Sequence, residues 1–212
     1  YSHDRAFSFF YHENIKIMES MGAECKPFSP IDDPYIDPDT DLLMLWGGFP
    51  EIFAPDISSN KSLINQINEL IEKGLPVYAE CGGLMYLAKN FISGDNEKYP
   101  MIGTLPVDIK LGDKLVGFGY KEAAIRFDTI LGKAGTKVRG HEFHYSFELG
   151  KVGDDIRPYK VKRKSGDKES ERLEGYVYKN VFASYIHLHF LGNLGVVNNI
   201  FKNISKKDRK KR

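Results

Sequence analysis

The sequence of 212 residues contains little cysteine and no long apolar run. Its two cysteines are Cys25 and Cys81, and without a Cys-x-x-Cys pair the sequence does not suggest a structural zinc site. No apolar stretch approaches the roughly 18 residues that a membrane-spanning helix needs. The N-terminus lacks the basic start and smooth apolar stretch of a signal peptide. These absences predict a cytoplasmic protein with no membrane partner, in which both thiols stay reduced.

Net charge is also nearly absent, at +1, so the body of the protein has no general attraction to nucleic acid. Six of the last seven residues are Lys or Arg, and no aromatic residue lies among them. Such a segment is more typical of a solvated terminus than of an RNA-binding or membrane-binding patch. We therefore expect one domain over residues 1–203 and a basic, disordered tail over residues 204–212.

Two further features are missing from the chain. It does not begin with Met, which suggests a fragment of a longer protein. It also has no Gly-x-x-x-x-Gly-Lys-Ser/Thr motif, the loop that cradles the phosphates of ATP. We therefore expect no nucleotide site within these residues.

Short apolar runs alternate with helical patterns, and this alternation predicts an α/β fold with a mostly parallel sheet. The run LLMLW at 42–46 has the composition of a strand buried on both faces. Asn60 or Ser62 could cap a helix whose apolar positions recur every three or four residues up to 71. Other helices are predicted at 14–21, 82–89 and 193–202, and other strands at 24–28, 77–80 and 183–187. The second half predicts an added antiparallel part, with strands at 116–127, 142–148, 159–163 and 175–178 and a charged turn at 162–172.

The segment VYAECGG at 77–83 carries the sharpest chemical signal. A predicted strand runs directly into Cys81, which is followed by two glycines and a helix, as in a nucleophile elbow. Glycine beside the nucleophile lets backbone approach closely, and the helix dipole favours the thiolate. A buried structural cysteine is the alternative, and it is the interpretation we adopt for Cys25. The pattern predicts Cys81 as a catalytic nucleophile.

Two glycines follow the apolar strand at 42–46, in the segment WGGFPE. They can expose backbone N–H groups at the carboxyl edge of the sheet, where α/β folds bind ligands. The N–H of Gly48, together with that of Gly82, would form an oxyanion hole for a tetrahedral intermediate. A simple tight turn before Pro50 is the alternative.

Histidines end a late strand in the segment SYIHLHF. His187 and His189 point to the same side of an extended chain, and a histidine there can act as base for a nucleophile on a neighbouring strand. We assign the base to His187 and a possible supporting role to His189, since one of the two could be a structural histidine.

The segment RGHEFHYS concentrates polar and aromatic groups in a strand context. We expect His141, His144 and Tyr145 to line a substrate surface or a domain interface. The histidines of this region could in principle bind zinc, but the segment lacks the His-Glu-x-x-His spacing that places two ligands on one helix face. We therefore expect no metal site.

Together these segments resemble a known family, the class I glutamine amidotransferase domain of cobyrinic acid a,c-diamide synthase. The resemblance spans about residues 5–190 and is carried, in order, by FSFFYHEN, GAECKPFSP, GGFPE, AECGGLMYL, YPMIG, RGHEFHYS and ASYIHLHF. It implies a flavodoxin-like glutaminase fold with helices on both faces of the sheet. The similar enzyme that amidates nickel-sirohydrochlorin fits the same segments.

The resemblance also implies a division of labour. Cys81 would attack the side-chain amide of L-glutamine with the help of His187, and no cofactor would be needed in this domain. The ammonia would pass to an N-terminal synthetase domain of the same protein, absent here, which binds ATP and magnesium. That domain would activate the a and c acetate groups of the tetrapyrrole substrate.

The sequence departs from the wider class at one point. Many class I glutaminases carry His-Pro-Glu, in which the glutamate orients the histidine, whereas this chain has His187-Leu188-His189. The orienting group is left open between Glu80, Glu142 and a backbone carbonyl. Two other functions also remain open: a catalytically silent binding module, and a cysteine hydrolase acting on peptides or another amide.

Overall fold

The computed structural model of the chain describes residues 1–165 and 168–210. No helix among these residues is long and apolar enough to span a membrane. The α-helices of the described residues are α1 (His12–Ser20), α2 (Ala54–Ser59), α3 (Lys61–Glu72), α4 (Gly82–Leu87) and α5 (Leu194–Lys210). The strands are β1 (Leu43–Leu45), β2 (Val77–Glu80), β3 (Ala88–Ile92), β4 (Lys98–Pro100), β5 (Leu105–Leu111), β6 (Gly117–Ile125), β7 (Lys137–His144), β8 (Ser146–Leu149), β9 (Tyr159–Ser165), β10 (Lys168–Glu174), β11 (Tyr176–Tyr178), β12 (Val181–Ser184) and β13 (Ile186–Leu188).

A central sheet in the order β1-β2-β12-β11 forms the α/β core. β2 pairs in parallel with β1 on one side and with β12 on the other, and β11 is antiparallel to β12. Successive side chains point to opposite faces, so Ala79 packs in the cluster that contains α3 and α4, and Tyr78 packs in the cluster that contains α1 and α5. The predicted arrangement, a largely parallel sheet covered by helices on both faces, is confirmed.

Helix α3 shows why the local sequence forms these elements. Its buried positions lie three or four residues apart, which places them on one face against the sheet: Leu63, Ile64, Ile67 and Ile71. The side chain of Asn60 accepts a hydrogen bond from the Leu63 N–H at 3.4 Å, as the predicted cap would.

The antiparallel part is larger than the sequence indicated. A five-stranded antiparallel sheet runs in the order β10-β9-β6-β7-β13, and a third sheet runs β4-β3-β5-β8. Strands β3, β4 and β5 were not predicted, and the helix expected over 82–89 ends at Leu87, where β3 follows at once. Strand β3 contacts α4, the helix that follows the predicted nucleophile.

Two predicted strands are each divided between two sheets. The strand expected at 142–148 is broken at Tyr145, so that β7 belongs to the five-stranded sheet and β8 to the third sheet. The strand expected at 183–187 is broken at Tyr185, where the chain leaves the central sheet and enters the five-stranded sheet. β-Favouring residues lie on both sides of each break, which is why the pattern looked continuous.

Three other local expectations need correction. The segment 24–28 is not a strand, since it makes only an isolated bridge between Ser2 and Phe28. The charged segment 162–172 is not one turn but lies largely in the antiparallel strands β9 and β10. Helix α5 continues to Lys210, beyond the end predicted at residue 202, and residues 211–212 lie outside the described residues.

Candidate active site

Cys81 lies between β2 and α4 in a strained backbone conformation, with φ 46° and ψ −101°. A non-glycine residue seldom adopts a positive φ, so the surrounding structure must hold it there. The Cys81 N–H donates to the carbonyl of Ser184 at 2.8 Å, and the Cys81 carbonyl accepts from the Met85 N–H at 3.1 Å. The side chain is buried, and Sγ lies 3.9 Å from the carbonyl oxygen of Phe143. This is the geometry of a nucleophile elbow.

Glycines allow the chain to pack tightly around this turn. A Cβ on Gly83 would lie 2.2 Å from the carbonyl oxygen of Leu45, so α4 could not approach β1 with a larger residue there. A Cβ on Gly82 would lie 3.1 Å from the Gly48 nitrogen. The two glycines predicted to form an oxyanion hole are therefore neighbours in space.

The N–H groups of Gly48 and Gly82 are available to a ligand. Across residues 1–165 and 168–210, neither amide donates a hydrogen bond to another protein group. The backbone around Gly48 is fixed from the other side, because the Phe49 N–H donates to the Ala6 carbonyl at 2.8 Å. Two free N–H groups beside the predicted nucleophile are what the predicted oxyanion hole requires.

His187 lies on β13 and is fully buried, and its Nδ1 is 3.3 Å from Oε2 of the equally buried Glu80. Apart from this contact, neither atom has a hydrogen-bond partner in the described chain. Burial lowers the pKa of His187, but the side chains of Cys81 and Glu80 outweigh it and raise that pKa to about 10. The neighbouring Glu80 and Cys81 side chains thus favour the protonated imidazole.

The Glu80 carboxylate is itself held in place. Its Oε1 accepts a hydrogen bond from the Leu188 N–H at 2.8 Å and another from the hydroxyl of Tyr78. This leaves Oε2 directed at His187. Tyr78 was not among the predicted site residues. Its position two residues before Glu80 places both side chains on one face of the strand. That spacing could have identified Tyr78 as a partner of Glu80 from the sequence.

Two further contacts fix the imidazole. The ring of Phe9 meets the His187 ring edge-on, with centroids 5.1 Å apart. A Cβ on Gly47 would lie 2.4 Å from Cε1 of His187, so a glycine is needed for the ring to fit. Sequence reasoning missed both residues, since neither carries a group that takes part in acid–base chemistry.

Glu142, the other carboxylate considered as orienting group, does not face His187. Its side chain lies within a separate buried cluster, 2.5 Å from Arg172, 3.2 Å from Nε2 of His144 and 3.6 Å from Lys121. Burial raises its pKa, but His144 and Arg172 outweigh this and lower it to about 2. Glu142 therefore remains a charged member of that cluster.

The remaining predicted residues lie around the site at different depths. His141 pairs across the sheet with His187, and burial together with the positive charge of His187 lowers its pKa. His144 is buried and stacks on Tyr185, with ring centroids 3.7 Å apart. Tyr145 is 41% exposed at the break between β7 and β8. His189 contacts the Tyr11 ring.

Neither cysteine forms a disulfide, and Cys25 is partly buried beside the cluster that contains α1. No group of three or more His, Cys, Asp or Glu side chains that could hold a metal ion is found in the part of the chain that the structure describes.

Comparison with known proteins identifies the family. Residues 1–194 match the CobB/CobQ-like glutamine amidotransferase domain. The chain belongs to this family. The domain is 43% identical over 189 residues to the cobyrinate a,c-diamide synthase of Caldanaerobacter subterraneus subsp. tengcongensis. The matched residues make up 89% of this chain and 41% of that protein. It is 40% identical over 206 residues to the enzyme of that name from Listeria monocytogenes, covering 97% of this chain and 45% of that protein. The amidotransferase domain thus spans less than half the length of these curated relatives.

Solved structures show the same fold at low sequence identity. The amidotransferase domain superposes on PurLQS from Thermotoga maritima with a TM-score of 0.64 and 16% identity, covering 96% of each chain. It superposes on a glutamine amidotransferase from the same organism with a TM-score of 0.56 and 14% identity, covering 92% of this chain and 78% of the other. These likenesses confirm the predicted fold class.

Proposed function

We propose that this domain hydrolyses glutamine at Cys81 and supplies the ammonia with which the rest of its protein amidates the a and c acetate groups of cobyrinic acid. The observation that carries the proposal is the elbow conformation of Cys81 together with the buried contact between His187 and Glu80, found in a member of the amidotransferase family; the Cys81 side chain also helps to raise the pKa of His187. The tetrapyrrole substrate is inferred from relatives that are 40–43% identical and named cobyrinate a,c-diamide synthase.

The proposed reaction follows the positions of these groups. The Cys81 thiolate forms a bond to the amide carbon of glutamine, and the N–H groups of Gly48 and Gly82 stabilise the negative charge on the oxygen. His187 donates a proton to the nitrogen as the carbon–nitrogen bond breaks and ammonia leaves. Water then attacks the γ-glutamyl thioester, with neutral His187 as base, and releases glutamate and the thiolate.

Glu80 is the proposed orienting group in this scheme. It takes the role that the glutamate of His-Pro-Glu has in many other class I glutaminases, but from the position before the nucleophile. A carboxylate on Nδ1 holds the imidazole in one orientation and stabilises its protonated form. We therefore propose Cys81, His187 and Glu80 as the catalytic triad.

Amidation itself requires an activated carboxylate, and we assign ATP and magnesium to the part of the relatives that this domain does not match. The partner of the domain would be that synthetase part of the same protein. We place the reaction in the cytoplasm, where ATP is available and a catalytic thiol stays reduced.

Covalent trapping tests the nucleophile. 6-Diazo-5-oxo-L-norleucine, an electrophile shaped like glutamine, should give one adduct, located on Cys81 by peptide mass spectrometry. Excess glutamine should suppress it, because both compounds occupy the same site. The adduct should persist in Cys25→Ala and vanish in Cys81→Ala. An adduct that glutamine does not suppress, or that forms on Cys25 alone, would contradict the proposal.

A further inference from the structure

One buried carboxylate oxygen of the described chain has no partner of any kind. The three fully buried glutamates each have a partner for both oxygens: Glu80 Oε2 lies 3.3 Å from His187, Glu142 Oε2 lies 3.6 Å from Lys121, and Glu174 accepts from the Ser184 hydroxyl and the Tyr185 N–H, each at 2.7 Å. Oε2 of Glu51, by contrast, is shielded from solvent yet accepts no hydrogen bond. Nor does any Lys, Arg or His nitrogen of the described residues lie within 4.0 Å of this carboxylate.

Glu51 lies in the loop that forms one side of the active site. The loop runs from β1 to α2 and carries Gly48, whose nitrogen is next to Gly82. Pro50 packs directly on the elbow, with its Cδ 3.0 Å from where a Cβ of Gly82 would be. The turn is closed by a hydrogen bond from the Phe53 N–H to the Pro50 carbonyl at 3.1 Å. Glu51 is therefore fixed one residue beyond the wall of the oxyanion hole.

An unpartnered carboxylate is costly in such a place. Burial raises the pKa of Glu51, and the hydrogen bond from its own backbone N–H only partly offsets this, since the charged form loses water without gaining a counter-ion. A hydrogen bond from a cation would reverse this effect, and the described protein residues offer none. The missing group is then expected on a ligand that enters the site.

We propose that Glu51 recognises the α-ammonium group of glutamine, with Oε2 accepting a hydrogen bond from it. This inference rests on the proposed function and adds a specificity determinant to it. In glutamine the ammonium group stands on the third carbon beyond the amide carbon that Cys81 attacks. Glu51 follows Pro50, whose ring lies against Gly82, and its shielded Oε2 would on this proposal meet that group and select an amino acid over a simple amide.

The test compares two electrophiles that differ only in the ammonium group. 6-Diazo-5-oxo-L-norleucine carries it, and 6-diazo-5-oxohexanoate lacks it. In Glu51→Gln, the rate of Cys81 labelling by the first reagent at low concentration should fall at least about tenfold, because a charged hydrogen bond in a buried site contributes that much to binding. Labelling by the second reagent should change by less than about twofold.

Controls separate this role from damage to the site. Iodoacetamide, which needs no amino-acid pocket, should alkylate Cys81 at the same rate in wild type and Glu51→Gln. The exposed Glu13→Gln should match wild type with every reagent. Isothermal titration of glutamine into Cys81→Ala and into Cys81→Ala with Glu51→Gln gives an independent measure, and the second variant should bind at least about tenfold more weakly.

The outcomes are distinct. Equal loss with both diazo reagents would assign Glu51 a structural role and overturn the inference, as would equal labelling of Glu51→Gln and wild type by the amino-acid reagent. If wild type reacts with iodoacetamide but shows no preference for the amino-acid reagent over its desamino counterpart, glutamine recognition by Glu51 is overturned. If neither diazo reagent labels wild type, the proposed glutaminase function is contradicted, independently of the role of Glu51.

Discussion

Cys81 is held in its strained conformation by the elements on both sides of it. The Ser184 carbonyl fixes its N–H and Met85 fixes its carbonyl, so the sulfur cannot relax into an ordinary strand or helix position. Strain of this kind persists only where the surrounding fold over-determines the backbone. The conformation directs the side chain to the edge of the sheet, where His187 and the two free amides meet.

Replacement of Glu80 should change the pKa of His187 and the rate at which Cys81 reacts. In Glu80→Gln the carboxylate that helps to raise the pKa of His187 to about 10 is lost, so the imidazolium should lose its proton at lower pH. Labelling of Cys81 by 6-diazo-5-oxo-L-norleucine should slow by about 10²-fold at neutral pH. The alkaline limb of its pH–rate profile should move toward neutral pH.

Tyr78→Phe provides a graded control for that experiment. It removes one of the two donors to Oε1 of Glu80 but keeps the carboxylate, so the alkaline limb should shift in the same direction by less. An unchanged profile in Glu80→Gln, with only a uniform drop in rate, would mean that Glu80 supports the fold without positioning the base.

At the scale of elements, helix α4 approaches β1 unusually closely. The carbonyl of Leu45 occupies the space that a side chain at Gly83 would need, and that carbonyl belongs to the rigid central sheet. Gly83→Ala should therefore lower the free energy of unfolding by about 1–3 kcal/mol, as overpacking of a fixed contact does. Urea denaturation measures the change.

Gly192→Ala is a matched control for this substitution. Gly192 lies in the short 3-10 helix Phe190–Asn193, and an added Cβ there meets nothing within 4 Å. Its free energy of unfolding should stay within about 0.5 kcal/mol of wild type. Similar losses in both variants would show that the contact between α4 and β1 is not the cause.

Much of the central sheet could be predicted from sequence. Strand β2 has the predicted bounds, and α3 begins at the predicted Asn60 cap, because apolar spacing, a capping residue and glycine all indicate the same element. The breaks at Tyr145 and Tyr185 could not be predicted. They depend on which sheet each half of the chain joins, and that choice is made by distant strands rather than by the local pattern.

The candidate site was predictable to a similar degree. The elbow and the paired glycines could be located from strand ends and glycine positions. The partner of His187 could not be chosen, because Glu80 and Glu142 are both glutamates in strand context. Only the arrangement of β13 beside β7 and the Tyr78–Glu80 contact direct one carboxylate to the imidazole and leave the other with Arg172.

At the scale of the whole molecule, the proposed division of labour can be tested in the full-length protein. Cys81→Ala should abolish amidation with glutamine as nitrogen source, because no thioester can form. Amidation with free ammonium salts should stay close to wild type, since the synthetase part would not use the thiol. Product formation from cobyrinic acid, followed by mass spectrometry, measures both reactions.

Glu142→Gln is an informative comparison in the same assay, because its carboxylate lies in the separate cluster with Arg172 and His144. It should keep glutamine-dependent amidation to a much greater extent than Cys81→Ala. If a folded Cys81→Ala protein lost both nitrogen sources, the thiol would have a part in the synthetase reaction and the division of labour would be wrong.

The placement of Glu80 directly before Cys81 limits which of the distances between the site residues can change. Glu80 ends β2 and Cys81 follows it directly in the chain, so the two residues stay neighbours as long as this turn holds its conformation. His187 is carried by β13, which lies in a different sheet, where β7 is its strand partner among the described residues, and the Leu188 N–H of β13 also donates to Oε1 of Glu80. Loosening of both links would separate the proposed base from Glu80 while the central sheet stays paired, so the geometry of the proposed triad should be lost before that sheet unfolds.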